Sequence, residues 1–215
     1  MIIIIGTSGG LGAEIDRYLC QTMGTQAIIS YAGRKALNIT STNDLMGRFD
    51  RLAIPGEPMH IIIATGFSKS SMIHKEDIAD TMRHFDVNVL GPMLVLKHAR
   101  AALKANGGSI TILSSVVGRR PTLGTAAYAA SKAALAGLVK VAALEMGKFA
   151  RVNVIELGYF DKGMIAKVPE EMLNTIIAEI PSGRLGTGEE VGHAVKFCIE
   201  NTYLNGAILP LTGGL

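Results

Sequence analysis

The chain has 215 residues, 48% of them apolar, with 25 glycines and no tryptophan; this fits one turn-rich globular domain and excludes a disordered chain. A formal charge of +3 comes from scattered lysines and arginines, with no basic stripe of the kind that tracks a nucleic-acid backbone. Cys20 and Cys198 lie far apart, Met1–Gly6 has no basic leader, and the ~20 consecutive apolar residues of a membrane span occur nowhere; free thiols and a cytoplasmic protein without nucleic-acid or membrane partners are expected.

In chain order, Ile2–Ile5 reads as a buried parallel strand. Leu11–Met23 reads as a helix and Gln26–Tyr31 as the next strand. Only residues 32–36 then precede a short apolar segment, Leu37–Thr40. A parallel crossover needs about a dozen residues, so Leu37–Thr40 is either a loop-linked edge strand or no strand. Asn43–Leu52 follows as a helix, and His60–Ala64 as a buried strand after the Pro55-Gly56-Glu57-Pro58 turn. A long helical pattern covers Lys75–Asn106, bent or divided at Gly91-Pro92. Ser109–Leu113 is a strand, Thr125–Phe149 an alanine-rich helix and Val152–Glu156 a strand. Helices over Glu170–Glu179 and Glu189–Glu200 precede a last strand, Ala207–Leu211. This alternation predicts an α/β fold: one Rossmann-like, doubly wound parallel sheet over residues 1–215, lacking the helix between its second and third strands.

Gly6-Thr7-Ser8-Gly9-Gly10-Leu11-Gly12 lies between the first strand and first helix. Glycines there let backbone approach a pyrophosphate, and the helix start supplies free N–H groups and a positive dipole end. No Gly-Lys-Ser/Thr follows, which argues against a Walker loop. Dinucleotide enzymes selective for NAD place an acid about 20 residues on. None occurs between Asp16 and Asp44, whereas Arg34-Lys35 ends the second strand, where a 2′-phosphate needs cations. NADP is therefore favoured over NAD. Tyr128 and Lys132 are spaced i and i+4 and share a helix face. An ammonium beside a phenol favours the phenolate and readies it for proton transfer. Ser114-Ser115 ends a parallel strand, where open α/β sheets bind ligands. Asn88 is a polar residue in an apolar stretch.

With these residues the chain resembles the short-chain dehydrogenase/reductases almost end to end. Gly6, Gly10 and Gly12 match that family's glycine motif, with Ile5 in place of its threonine. Ser115 precedes Tyr128 by thirteen residues, the family interval, and Tyr128-Ala129-Ala130-Ser131-Lys132 matches YxxxK. Asn88 matches the catalytic asparagine, and Ile63-Ala64-Thr65-Gly66 stands where relatives have NNAG. Asn38 replaces the aspartate that meets adenine, Glu156-Leu157-Gly158 the Pro-Gly loop, and Lys162 a threonine beside the carboxamide; a lysine there is placed to reach a cofactor phosphate instead. The resemblance implies catalysis by Asn88, Ser115, Tyr128 and Lys132, with no metal. It implies cofactor binding by Gly6, Ser8, Gly9, Gly10, Leu11, Gly12, Arg34, Asn38, Ala64, Gly66, Tyr128, Lys132, Gly158 and Phe160.

Gly163-Met164-Ile165 and Ile180–Gly186, through Gly188–Val191, resemble 3-oxoacyl-carrier-protein reductases. This implies an NADP(H)-dependent reduction of a small carbonyl, or oxidation of an alcohol, with a 3-oxoacyl thioester as one substrate class. Arg119-Arg120 is placed to meet acyl carrier protein or a CoA thioester. The alternatives are a reductase of another small ketone or alcohol, and a non-catalytic NADP-binding sensor or scaffold. The apolar circumference of Pro92–Ala105 and Thr125–Phe149, together with the resemblance, implies a homotetramer or homodimer.

Overall fold

Four isoleucines form the central strand. β1, Ile2–Ile5, is buried on both faces, as a strand covered by helices on both sides must be. The computed structural model describes residues 1–24, 28–163, 165 and 168–215; Gln26 and Ala27, expected to open the second strand, and Met164 lie outside them. α1 (Gly10–Met23) leads to β2 (Ile28–Tyr31), and β3 (Met59–Ile63), β4 (Gly108–Ser115), β5 (Arg151–Leu157) and β6 (Ile208–Leu211) complete the sheet. All pairs are parallel, in the order β2-β1-β3-β4-β5-β6. Alternating side chains split the core in two. Ile3, Ile5, Ile61, Ile63, Ile110 and Ile112 pack toward α5 (Gly91–Asn106) and α6 (Ala126–Met146). Ile2, Ile4, Ile62 and Ile155 pack toward α1 and α8 (Gly188–Glu200).

The fold class expected from the sequence stands, and the third-strand question resolves to no strand. Leu37 and Ile39 are buried in the core without entering the sheet. Local groups take the place of a ladder: the Asn38 Oδ1 accepts from the Thr40 N–H at 3.2 Å and hydroxyl at 2.8 Å, and Asp44 accepts the Asn38 N–H at 3.2 Å. No helix lies between Tyr31 and Leu37. The expected helix over 43–52 is two short ones, α2 (Thr42–Leu45) and α3 (Arg48–Leu52), separated by Met46 and Gly47. Gly47, at φ 64°, takes a left-handed conformation that breaks the run.

The long pattern before β4 is likewise compound. Asp77 caps α4 (Ile78–Phe85) by accepting the Ala79 N–H, and a π turn over Asp86–Leu90 joins α4 to α5. Pro92 has no N–H to give the Asn88 carbonyl four residues back, and the Gly91 N–H reaches the Asp86 carbonyl instead. The discontinuity at Gly91-Pro92 thus takes the form of a π turn, a feature frequent at functional sites. α6 has the length, 21 residues, and apolar composition of a membrane-spanning helix. Its Leu135 and Val139 lie in the sheet core, so that composition serves packing.

The chain leaves β1 for β2 on one side and returns to β3 on the other. The carboxyl ends of β1 and β3 therefore flank the topological switch point, where a crevice opens.

Candidate active site

A cleft of about 350 Å³ lies at that switch point. Gly6 (φ 108°) begins its floor; a Cβ there would stand 2.8 Å from the Ala64 carbonyl carbon. Gly12 lets α1 start against the same turn, since its Cβ would stand 2.3 Å from the Gly6 oxygen. α1 has Gly9 as N-cap, no side-chain cap and no acid in its first turn, which leaves its first N–H groups for an anion. The Thr65 hydroxyl, at the end of β3, is buried without a partner. Open helix-start donors, backbone-close glycines and an unpaired hydroxyl fit a dinucleotide diphosphate.

Of the expected cofactor residues, Gly6, Ser8, Gly9, Arg34, Asn38, Ala64 and Gly66 line the cleft. Gly10, Leu11, Gly12 and Gly158 are not among its lining residues. Gly10 abuts Gly163, and Leu11 packs against the α1–α8 core. Gly158 ties β5 to β6 through its N–H to the Leu211 carbonyl at 2.9 Å. Lys162 lies over the start of α1, its Cβ 3.3 Å from where a Cβ on Gly10 would stand. Phe160 is not presented to the cleft as a side chain: it is buried in the α1–α8 core with its ring on Gly186. The Phe160–Gly186 bridge uses the Tyr159 carbonyl and the Asp161 N–H, not the N–H and C=O of Phe160 itself.

The expected catalytic pair lies in α6, beside Gly66 of the cleft. Tyr128 (6% exposed) and Lys132 (5%) are buried on one face of α6. The Lys132 Nζ donates to the Leu113 carbonyl at 3.0 Å and lies 6.0 Å from the Tyr128 ring centroid. Burial drops its pKa to about 8. Burial pushes the Tyr128 phenol above its ordinary value, and the neighbouring Ser115 hydroxyl partly offsets this. The lowering expected from Lys132 is thus not present in the protein by itself, because that ammonium is turned to a carbonyl. Asn88 (1% exposed) gives its amide to three groups. Its Oδ1 accepts the Phe67 N–H at 2.8 Å, and its Nδ2 donates at 2.9 Å to both the Phe67 carbonyl and the Ser131 hydroxyl. A Cβ on Gly66 would lie 3.7 Å from both Asn88 Oδ1 and Lys132 Nζ, so the cleft meets these two residues at that glycine.

Sequence reasoning missed one wall. Phe67, Arg83, Asp86 and Val87 line the cleft, three of them from α4 and the π turn. The Arg83 guanidinium lies 4.2 Å from the Phe67 ring centroid. Buried His84 fastens the same loop by accepting the Lys69 N–H at 3.1 Å. The i, i+4 spacing of Arg83 and Val87 was the only trace of this wall, and it reads as any helix face.

A family model described as enoyl-(acyl carrier protein) reductase matches residues 19–215. The 3-oxoacyl-[acyl-carrier-protein] reductase of Rattus norvegicus is 32% identical over 180 residues, covering 83% of this chain and 75% of the relative. Its Homo sapiens counterpart is 30% identical over 230 residues, covering 99% and 96%. In fold, a small-chain dehydrogenase solved in complex with NADPH matches at a TM-score of 0.85 and 24% identity, over 99% of this chain and 96% of that one. The chain belongs to the short-chain dehydrogenase/reductases, a family of oxidoreductases acting on C=O and CH–OH groups.

Proposed function

We propose that this protein is an NADP(H)-dependent carbonyl reductase or alcohol dehydrogenase with Tyr128 as its proton donor. The observation that carries the reading is the approach of Lys132 and Asn88 to the switch-point cleft at Gly66, with Tyr128 beside Lys132 and Ser115 beside Tyr128. Arg34, lining the cleft without an ion pair among the described residues, supports NADP over NAD. When bound, the nicotinamide supplies or accepts hydride at its C4. Ser115 donates a hydrogen bond to the substrate oxygen as charge develops there. Tyr128 gives that oxygen its proton, a transfer eased when the Lys132 ammonium turns from the Leu113 carbonyl toward the phenol and the cofactor ribose. Pro92 leaves the Asn88 carbonyl without its i+4 helical partner, and in this reading that carbonyl holds a water between Lys132 and solvent.

For substrate, the reading is a small carbonyl, with 3-oxoacyl thioesters supported by what the rat and human relatives are named for. Arg119 and Arg120 are already engaged: Arg119 by Glu156 at 2.9 and 3.1 Å and the Leu215 carbonyl at 3.1 Å, Arg120 by Glu179 at 3.5 Å. An acidic carrier protein or a CoA phosphate alike has to compete with those carboxylates for the arginines. Exposed Met82 and Phe85 of α4, Met93 of α5, and Val141 and Leu144 of α6 support a homo-oligomer built on these helices. Free Cys20 and Cys198 support a reducing, cytoplasmic setting. The test is NADPH and NADH binding followed by turnover of a carbonyl panel that includes an acetoacetyl thioester. Turnover with NADPH is expected; binding without turnover of any carbonyl is the outcome for a sensor and overturns the reading.

A further inference from the structure

We propose that Arg83 is a second recognition cation for the cofactor 2′-phosphate, facing Arg34 across the adenine end of the cleft. The inference rests on the NADP reading above and says which groups enforce it. With no strand over 37–40 and no helix before it, the wall beyond β2 is thin. α4 and the π turn close the cleft from the other side, and Arg83 lines it together with Arg34.

The guanidinium of Arg83 is held over the Phe67 ring, its central carbon 4.2 Å from the centroid. The backbone of Phe67 is in turn fixed by both ends of the Asn88 amide. The Arg83 N–H groups engage no carboxylate among the described residues, and such groups grip a phosphate in two-pronged fashion. Among the described residues neither Arg83 nor Arg34 forms an ion pair. Two unpaired cations lining one cleft repel each other until an anion enters, which favours a ligand with a doubly charged group at this end. Asp86 is the opposing consideration, since its carboxylate lines the same cleft. It stands more than the ion-pair distance from Arg83 and offers an acceptor to ribose or adenine N–H and O–H groups. Asn38 cannot offer one, because its Oδ1 is taken by Thr40.

The experiment is titration of the purified full chain with NADPH and with NADH, followed by nicotinamide fluorescence at two salt concentrations. In Arg83→Ala, NADPH affinity is expected to fall ~tenfold or more, with a shallower salt dependence and NADH affinity nearly unchanged. Arg83→Lys is expected to recover only part of the loss, because an ammonium lacks the planar fork. Retained NADH binding shows that the variant is folded. Equal losses for both nucleotides, or none for either, overturn the inference. If Arg34→Ala loses NADPH selectivity and Arg83→Ala does not, the NADP reading survives and the Arg83 inference fails. A wild-type chain that binds NADH more tightly, with the acid of Asp86 on the ribose, removes both.

Discussion

Replacing Asn88 by alanine removes three hydrogen bonds from a side chain that is 1% exposed. The losses are unequal. Ser131 keeps its bond to the Tyr128 carbonyl at 2.8 Å and gives up little. The N–H and C=O of Phe67 lose their only side-chain partner in a half-buried loop, and an unpaired buried polar group costs about 1–3 kcal/mol. Two such groups, partly rescued by water, give a loss of about 3 kcal/mol. For a domain of this size that is a fall of roughly 1 M in the urea midpoint, measurable by circular dichroism. Asn88→Asp should fare no better: it keeps the bond from the Phe67 N–H but sets a buried carboxylate oxygen against the Phe67 carbonyl. NADPH binding should weaken with either change, since Phe67 carries the Arg83 guanidinium. A loss below about 1 kcal/mol for Asn88→Ala would refute the view that this amide fastens the loop.

Three further outcomes follow from the same geometry. Gly12→Ala forces a Cβ to 2.3 Å from the Gly6 oxygen, so it should weaken NADPH and NADH binding together and destabilise the fold by about 1–3 kcal/mol, read by titration and thermal melting. His60, bonded to Ser109 at 2.9 Å, has its pKa lowered by burial from 6.5 to about 4. Its neutral form is the native one, so stability is intact above pH 6.5 and falls as pH drops toward 4, by at most about 3 kcal/mol; His60→Gln should flatten that acid limb in urea titrations. Lys132, lowered from 10.5 to about 8, holds its proton in the unfolded chain where the folded protein releases it. Stability should therefore rise between about pH 8 and 10.5, and the difference between wild type and Lys132→Met should vanish as pH climbs through that window.

The fold was legible because strands covered on both faces are continuous apolar runs, as Ile2–Ile5 and Ile61–Ala64 are. Leu37–Thr40 was ambiguous for a physical reason: Leu37 and Ile39 bury their side chains identically whether a ladder or the Asn38 side chain satisfies the backbone. Tyr128 and Lys132 were readable from helical spacing, while Ser115 and Asn88 were singled out by the family resemblance. Arg83 and Phe67 were not, since their wall exists only once Asn88 ties the loop after β3 to the π turn. The Tyr128 pKa was misjudged because four-residue spacing gives proximity without direction. Lys132 shares the face but bonds to the Leu113 carbonyl.

The central claim is that Tyr128 moves the proton, and Tyr128→Phe tests it most directly. The ring stays packed against Val116 and Val117 while the hydroxyl is lost. Turnover of an activated ketone with NADPH should drop ~100-fold or more, with NADPH affinity close to that of the wild type. Turnover that survives at the wild-type rate would contradict the account.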